Sequence, residues 1–245
     1  MIRAGDAIRS METLPFASLA AVTESAPVVI LAPHPDDETL GCGGLIAAAS
    51  AAGHPPFVLI LTDGTGSHPN SCSYPPARLQ AVREQEARDA VAILGLAAEH
   101  ISFLGLRDTA APMGGAAFDR ALGEILSTAA ATGATTILAP WEHDPHCDHL
   151  AAHRLAAAAA QVQDIRHLAY PVWGWTLPPD TLLPGSIPTG MRLDISDHLA
   201  AKRLAIAAHA TQHRGLIDDD PTGFALPPIF LDLFNRPFET FLTVA

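Results

Sequence analysis

Residues 28–38 read VVILAPHPDDE, and this stretch decides the fold. The first part, Val28 to Ala32, is a short and wholly apolar run, which predicts a strand buried on both faces, as in parallel sheets. The second part, His34 to Glu38, places an imidazole and three carboxylates directly after that strand. In open α/β sheets, ligands bind outside the carboxyl ends of the strands, so this position marks a candidate site.

The pattern of an apolar strand followed by a helix repeats along the chain. Further runs with the length of a buried strand are residues 57–61, 101–104, 136–139 and 167–170. Helical patterns lie between them, at residues 41–52, 78–94, 118–131 and 148–162. This alternation predicts a Rossmann-like α/β fold, a mostly parallel sheet with helices on both faces.

After residue 170 the pattern becomes irregular and rich in proline. There we predict a half-exposed strand at 192–195, a helix from 198 to about 212, and an edge strand or docking segment at 237–241. We expect one domain over residues 1–245, because that length suits one large α/β domain. Its core would span about residues 26–170, and residues 171–245 would form a C-terminal elaboration.

Composition narrows the functional class. The formal net charge of −12 disfavours nucleic acid and anionic membranes as partners. Three cysteines without a CxxC pair favour a reducing compartment. The N-terminus lacks the unbroken apolar stretch of a signal peptide, and no window reaches the length of a membrane span. We therefore expect a cytoplasmic protein with a small-molecule substrate; a homo-oligomer is compatible with the sequence.

A second polar cluster, EHDPHCDH at residues 142–149, follows the predicted strand 136–139. Imidazole and carboxylate are the usual ligands of catalytic zinc, which leaves one position for water. Alone, either cluster could be an ordinary capped turn or an exposed loop, but two clusters at strand ends of one sheet favour a metal site. The residues themselves leave four histidines open as ligands: His143, His146, His149 and His153.

Neighbouring side chains within each cluster point to divided roles. Asp36 and Asp37 cannot both point the same way, so one can bind metal while the other accepts a proton from the metal-bound water, whose pKa zinc lowers to roughly 7. His146 and His149 are three apart, so on a first helical turn they share a face. One could bind metal while the other donates to a developing oxyanion.

In these two clusters the chain resembles the PIG-L/LmbE-like family of zinc-dependent N-acetylglucosaminyl deacetylases. Its HPDDE motif corresponds to His34–Glu38, and its HxDH motif corresponds to His146–His149. The resemblance covers most of residues 28–160 and thins to a short stretch between Lys202 and Gln212. Cys147 stands where the family usually has proline.

The resemblance implies a role for each matching residue. Its zinc ligands are His34, Asp37 and His149. They would hold one zinc ion per chain, with other divalent metals as alternatives. Its catalytic residues are Asp36 as general base, His146 as oxyanion donor and Asp148 as the residue that orients or tunes His146. Its candidate substrate contacts are Arg83 and Asp108. Asp144 departs from the family, some of whose sugar deacetylases carry a tyrosine there, and is a candidate sugar-subsite or structural residue. His153 is left as an ordinary helix residue.

The predicted function is therefore zinc-dependent removal of an N-acetyl group from an amino sugar or a GlcNAc-containing conjugate. Alternatives are an amidase acting on a larger acyl or thiol conjugate, and a binding module without turnover. A dinucleotide-dependent oxidoreductase is disfavoured because the glycines of 41–44 lack the full fingerprint and instead predict close helix–strand packing. Trp173 and Trp175 are candidates for stacking on a sugar or for aromatic packing. The loop 66–75 is a candidate lid or plain surface.

Overall fold

Strands and helices alternate through most of the structure, a computed structural model that describes residues 1–213 and 215–244. The strands are β1 (Ile2–Arg3), β2 (Phe16–Ala17), β3 (Val28–Ala32), β4 (Phe57–Thr62), β5 (Ile101–Leu106), β6 (Thr136–Pro140), β7 (Arg166–Tyr170), β8 (Leu182–Leu183), β9 (Gly190–Asp194) and β10 (Phe238–Thr243). The α-helices are α1 (Ala4–Thr13), α2 (Leu19–Thr23), α3 (Asp37–Ala51), α4 (Pro76–Ile93), α5 (Gly115–Thr132), α6 (Cys147–Gln163), α7 (Leu199–Ala208), α8 (Ala210–His213) and α9 (Pro228–Leu231).

The centre of the main sheet is parallel and runs in the order β7-β6-β3-β4-β5. From β3 the chain adds strands on one side through β4 and β5, and then crosses to the other side through β6 and β7. The order therefore reverses between β3 and β6, whose carboxyl ends form the crevice where such sheets bind ligands. Both polar clusters of the sequence begin at these two strand ends.

Helices cover both faces of this sheet, as predicted. Alternate residues of β3 point to opposite sides. Val28 and Ile30 belong to a buried cluster that includes residues of α3, α4 and α7. Val29 and Leu31 belong to a second cluster with residues of α5 and α6. Because both faces are buried, β3 tolerates only apolar side chains, which is the pattern its sequence shows.

The C-terminal third extends the same sheet. Strand β10 pairs antiparallel with β7 on one side and with β9 on the other, and β2 pairs with β9. The predicted strand at 237–241 is therefore present as β10, but its predicted place at an edge is wrong, because β9 and β2 lie beyond it. Glu239 of β10 anchors this region to α3, since its buried carboxylate accepts the N–H groups of Gly44 and Leu45 and pairs with Lys202 at 2.6 Å.

Helix α3 begins within the first polar cluster and packs closely against its neighbours. It begins at Asp37, earlier than the predicted residue 41. A Cβ added at Gly41 would lie 2.2 Å from a ring carbon of Tyr170, and one at Gly44 would lie 2.4 Å from Ile195. The interpretation of this glycine run as a site of close packing is confirmed. Among the described residues, no helix is long and apolar enough to cross a membrane.

Candidate metal centre and active site

His34 follows β3, and each of its ring nitrogens faces carboxylates. Nδ1 lies 3.1 Å from Oδ2 of Asp37, whereas Nε2 lies 3.2 Å from both Asp108 and Asp148. Burial by itself would lower the pKa of His34, but the contacts with Asp108, Asp148 and Asp37 outweigh burial and raise that pKa well above its ordinary value. The surroundings of this ring therefore favour a positive charge.

His149, on the first turn of α6, has a similar arrangement. Its Nδ1 lies 2.9 Å from Oδ2 of Asp144, and its Nε2 lies 3.2 Å from Oδ2 of Asp37. The side chain is fully buried, and Nε2 has no hydrogen bond of acceptable geometry with any described residue. Burial opposes the charged ring, but Asp37 and Asp144 raise the pKa of His149 to about 9. A buried nitrogen without a partner, beside a carboxylate, fits a metal ligand.

Asp37 joins the two histidines through one oxygen atom. Burial would raise the pKa of this carboxyl, but His149 and His34 outweigh it and lower the pKa far below the usual range. For His34 and His149 alike, the nitrogen that faces away from Asp37 is held by another carboxylate. This carboxylate–histidine arrangement is typical of metal-binding histidines, because it fixes the ring and its tautomer. The residues present therefore fit a bound divalent cation.

More than one set of donor atoms could hold that cation. Atoms of His34, His146 and His149 lie within 4.8 Å of one another, as do those of His34, Asp108, His146 and Asp148. Both sets share His34 and His146, and neither includes Asp37. Cys147 belongs to neither group; its thiol lies 3.6 Å from the carbonyl oxygen of Thr109.

Asp36 lies beside this centre with a different environment. Its carboxylate borders the cavity and lies 3.4 Å from the guanidinium of Arg83. Burial raises the pKa of Asp36 to about 6, with Asp37 adding to the effect and Arg83 opposing it. A carboxylate whose pKa is close to neutrality is suited to accept and return a proton.

His146 caps the N-terminus of α6 with its ring. Nδ1 accepts the backbone N–H of Asp148 at 3.2 Å, so the neutral ring carries its proton on Nε2. Burial, together with His34 and His149, lowers the pKa of His146 below its ordinary value. At neutral pH the residue is therefore an uncharged hydrogen-bond donor at the edge of the cavity.

The carboxylate of Asp148, which was expected to orient or tune His146, makes no hydrogen bond with that ring among the described residues, although its charge acts to raise the pKa of His146. Instead it accepts the backbone N–H groups of Thr109 and Ala111, at 2.7 and 2.9 Å, and contacts His34. The hydrogen bond between the two residues comes from the backbone N–H of Asp148. The sequence could not show this, because the loop after β5 is brought to α6 by the tertiary fold.

Asp144 is absent from the cavity lining, so of its two predicted roles, sugar subsite or structural residue, the structural role fits its position. The residue is 1% exposed. Besides His149, its carboxylate accepts the backbone N–H groups of Val172, Trp173 and Gly174. Four donors thus occupy both oxygens, which leaves Asp144 as the residue that positions His149.

Arg83 and Asp108 both border the cavity, where a substrate contact was predicted. Both also hold nearby loops. Arg83 donates to the carbonyl oxygens of Gly64 and Pro35, at 2.6 and 2.9 Å, and Asp108 accepts the N–H of Gly66 at 2.9 Å. Their charged groups are therefore fixed in place before any ligand binds.

The cavity in front of these residues has a volume of about 340 Å³. The lining residues that the sequence analysis did not single out are Leu40, Thr109, Pro145, Gln212, Phe224 and Leu226. Trp173 lines it and stacks on Phe230 with ring centres 4.1 Å apart, whereas Trp175 lies outside it under Arg236. Gln212 ends the short stretch to which the family resemblance extends, whereas Phe224 and Leu226 had no sequence signal, since they lie in an irregular segment.

The loop 66–75 is more than a plain surface segment. Gly66 and Ser67 line the cavity. Asp219 accepts from the hydroxyl of Ser71 and the N–H of Ser73, and Asp220 accepts the N–H of Asn70. These bonds fasten the loop to Asp219 and Asp220, a few residues before Phe224 and Leu226 of the cavity lining.

Comparison with known proteins agrees with this geometry. The model of the GlcNAc-PI de-N-acetylase (PIG-L) family matches residues 29–160. A 2'-N-acetylparomamine deacetylase of Streptomyces fradiae is 30% identical over 139 residues, which are 51% of this chain and 49% of that protein. The match thus spans about half the length of that relative.

Two solved structures show the same fold at low sequence identity. A conserved protein of Thermus thermophilus is 23% identical, with a TM-score of 0.66 over 90% of this chain and 95% of that one. An N,N'-diacetylchitobiose deacetylase of Pyrococcus horikoshii is 22% identical, with a TM-score of 0.63 over 88% and 82% of the chains. Because the family model covers more than half of the sequence, including both polar clusters, the chain belongs to the PIG-L family.

Proposed function

We propose that this protein is a zinc-dependent N-deacetylase that hydrolyses the acetamido group of an amino sugar or of a GlcNAc-containing conjugate. The observation that carries the proposal is the contrast between two adjacent carboxylates. Asp37 lies between His34 and His149 and is strongly acidic, whereas Asp36 faces the cavity with a pKa raised to about 6. One carboxylate is thus suited to hold a metal and the other to move a proton.

His34, Asp37 and His149 would hold the ion, with Asp144, Asp108 and Asp148 fixing the two rings from outside. A bound zinc ion supplies Lewis-acid polarisation to the attacking water and to the amide carbonyl. We prefer this ligand set because it uses the partnerless Nε2 of His149 and leaves His146 available as a donor.

The chain's own residues then perform the proton transfers. Asp36 takes a proton from the attacking water as the water oxygen bonds to the acetyl carbon. The Nε2–H of His146 donates to the carbonyl oxygen as negative charge grows there. Asp36 returns its proton to the amine nitrogen as the C–N bond breaks. The products are acetate and a free amine.

The cavity supports a substrate with one sugar ring next to the acetamide. Its volume of about 340 Å³ is at the lower end for ligand sites, which disfavours a bulky acyl group. Trp173, Phe224 and Leu226 offer an apolar wall, and Arg83 and Asp108 offer charged groups for hydroxyls. The family assignment and the S. fradiae relative, which is named for an N-acetylated amino sugar, point to the same class.

We also propose that residues 1–245 act as one deacetylase domain. The region after residue 170 supplies Trp173, Gln212 and Phe224 to the cavity and β9 and β10 to the main sheet. A core of residues 26–170 alone would therefore lack one wall of its own site.

Zinc content and acetate release, measured on the same preparations, test the proposal. The zinc-loaded protein should release acetate from GlcNAc, N,N'-diacetylchitobiose or a GlcNAc conjugate faster than it releases amine from longer N-acyl analogues. His149→Ala should lose zinc and activity together. Asp36→Ala should keep zinc and lose about 10²- to 10⁴-fold in kcat, the usual contribution of a general base.

His153→Ala is the matched control, because His153 lies one turn further along α6, bonds to the carbonyl oxygen of Pro140 and packs against the ring of His167, outside the cavity lining and the candidate ligand groups. It should keep both zinc and activity. Equal zinc content in the wild type and His149→Ala would contradict the ligand set. Zinc-loaded protein that binds the sugars without turnover, equally well in Asp36→Ala, would support a binding module instead.

A further inference from the structure

The backbone of Asp36 is strained. Its φ of 153° and ψ of −27° lie in a region that residues with a side chain rarely adopt. Such conformations cost on the order of 1–3 kcal/mol and persist only where the surroundings hold them. Here the N–H of Asp36 donates to Oε2 of Glu38 at 3.0 Å, and Glu38 is fully buried. Glu38 therefore holds the peptide group that aims the proposed base.

His209 in turn holds Glu38. The hydroxyl of Thr39 donates to Oε1 of Glu38 at 2.8 Å, so the oxygen of Thr39 is free to accept from Nε2–H of His209 at 3.2 Å. The same nitrogen lies 3.3 Å from Oε1 of Glu38. His209 is 2% exposed, and its Nδ1 has no hydrogen-bond partner among the described residues. Within the described part of the chain, the ring of His209 therefore makes polar contacts only with Glu38 and Thr39.

The chain places His209 at a break that the sequence did not predict. The expected helix from 198 to about 212 is divided into α7 and α8, and His209 lies between them with a ψ of 59°. Directly after the break, the N–H and hydroxyl of Thr211 donate to Glu86 of α4, at 2.8 and 2.6 Å. The imidazole is therefore fastened to the body of the protein and belongs to neither the cavity lining nor the candidate ligand groups.

We propose that His209 is a positioning residue for the deacetylation, acting through Glu38 on the peptide group and carboxylate of Asp36. The inference rests on the proposed role of Asp36 as base. Without the donor on His209, the buried Glu38 loses a partner, the peptide of Asp36 relaxes from its strained conformation, and its carboxylate moves away from the attacking water. Zinc binding and substrate contacts, which use other residues, stay intact.

The test compares His209→Phe with His209→Gln in the zinc-loaded protein. His209→Phe should lower kcat by about 10- to 100-fold, the usual cost of losing an outer partner of a catalytic group, with KM and zinc content unchanged. His209→Gln keeps an N–H donor in place of Nε2–H and should recover most of kcat. His167→Phe removes another buried imidazole, outside the cavity lining and the candidate ligand groups, and should leave kcat unchanged.

Two further measurements separate positioning from general loss of structure. Thr39→Val is nearly isosteric, removes the bridging hydroxyl and should lower kcat in the same direction, even if His209→Phe fails to fold. In a double-mutant cycle, Glu38→Gln and His209→Phe should be strongly non-additive, since both act on the same peptide group.

Crystal structures provide a readout that does not depend on activity. Asp36 should change its backbone conformation in His209→Phe or Thr39→Val and keep it in His209→Gln. An unmoved Asp36, or an unchanged kcat per zinc-loaded chain, would overturn the inference. If the wild type releases no acetate from any N-acetyl sugar, the proposed function fails, while the structures still test whether His209 positions Asp36.

Discussion

The substitution Asp144→Asn tests the metal centre most directly. Oδ2 of Asp144 accepts from Nδ1–H of His149 and from the N–H groups of Val172 and Trp173, at 2.9, 3.0 and 3.0 Å. Oδ1 accepts the N–H of Gly174 at 2.7 Å. Asparagine has the same shape but only one accepting oxygen, so its NH₂ group must face at least one of these donors.

The amide orientation that loses the fewest hydrogen bonds places NH₂ at the Oδ1 position, and it leaves the N–H of Gly174 without an acceptor. An unsatisfied buried donor costs about 1–3 kcal/mol, which sets the expected loss of folding stability. The negative charge behind His149 also disappears. Loss of such an outer carboxylate typically weakens metal binding by about 10- to 100-fold, which corresponds to about 1.4–2.8 kcal/mol.

Zinc affinity measured by competition with a fluorescent chelator, and unfolding measured with zinc and with EDTA, check both figures. Glu142→Gln is the matched control, because it makes the same chemical change on the same loop at an exposed side chain. If Asp144→Asn bound zinc as tightly as the wild type and only raised KM, Asp144 would be a substrate contact, and the reasoning from its hydrogen bonds would be refuted.

Three other substitutions probe the cavity wall, a buried imidazole and the glycine run. Trp173→Ala should raise KM by about 2- to 10-fold, from the loss of about 0.5–1.5 kcal/mol of stacking, whereas Trp175→Ala should leave KM unchanged; steady-state kinetics decides. Burial lowers the pKa of His167 from 6.5 to about 3. Between these values the unfolded chain binds a proton that the folded chain lacks, so stability falls as pH falls, by up to about 1.4 kcal/mol per unit. His167→Phe should flatten that slope in urea unfolding at several pH values, and an equal slope in both proteins would contradict it. Gly41→Ala should destabilise the fold by about 1–3 kcal/mol through overpacking, whereas Gly123→Ala, whose added Cβ meets nothing within 4 Å, should not.

The sheet was predictable because its strands carry their own signal. Val28 to Ala32 must be apolar on both faces, since helices cover both sides of β3. The position of β10 in the sheet was harder to predict. Nothing in an isolated segment with two phenylalanines shows whether another strand pairs with its far side. Its interior position depends on β9 and β2, which are distant in sequence.

Helix boundaries also depend partly on local sequence and partly on contacts with distant residues. Residues 198–212 have a continuous helical pattern, yet the helix breaks at His209, whose ring is held by Glu38 and Thr39. A contact between residues 170 positions apart outweighs local propensity there. Helix α3 begins earlier than predicted because the last two residues of the first cluster, Asp37 and Glu38, lie in its first turn.

The amino-acid sequence by itself determined the α/β fold, the two polar clusters and their position at strand ends. Those features are local: they follow from periodicity and from residue types that stand next to each other. Only the tertiary structure decided which carboxylate contacts which imidazole: Asp144 contacts His149, and Asp148 contacts His34. It also decided that residues beyond 170 form one wall of the cavity. The physical reason is that a hydrogen bond depends on distance and direction in space, and neither is encoded in the spacing of residues along the chain.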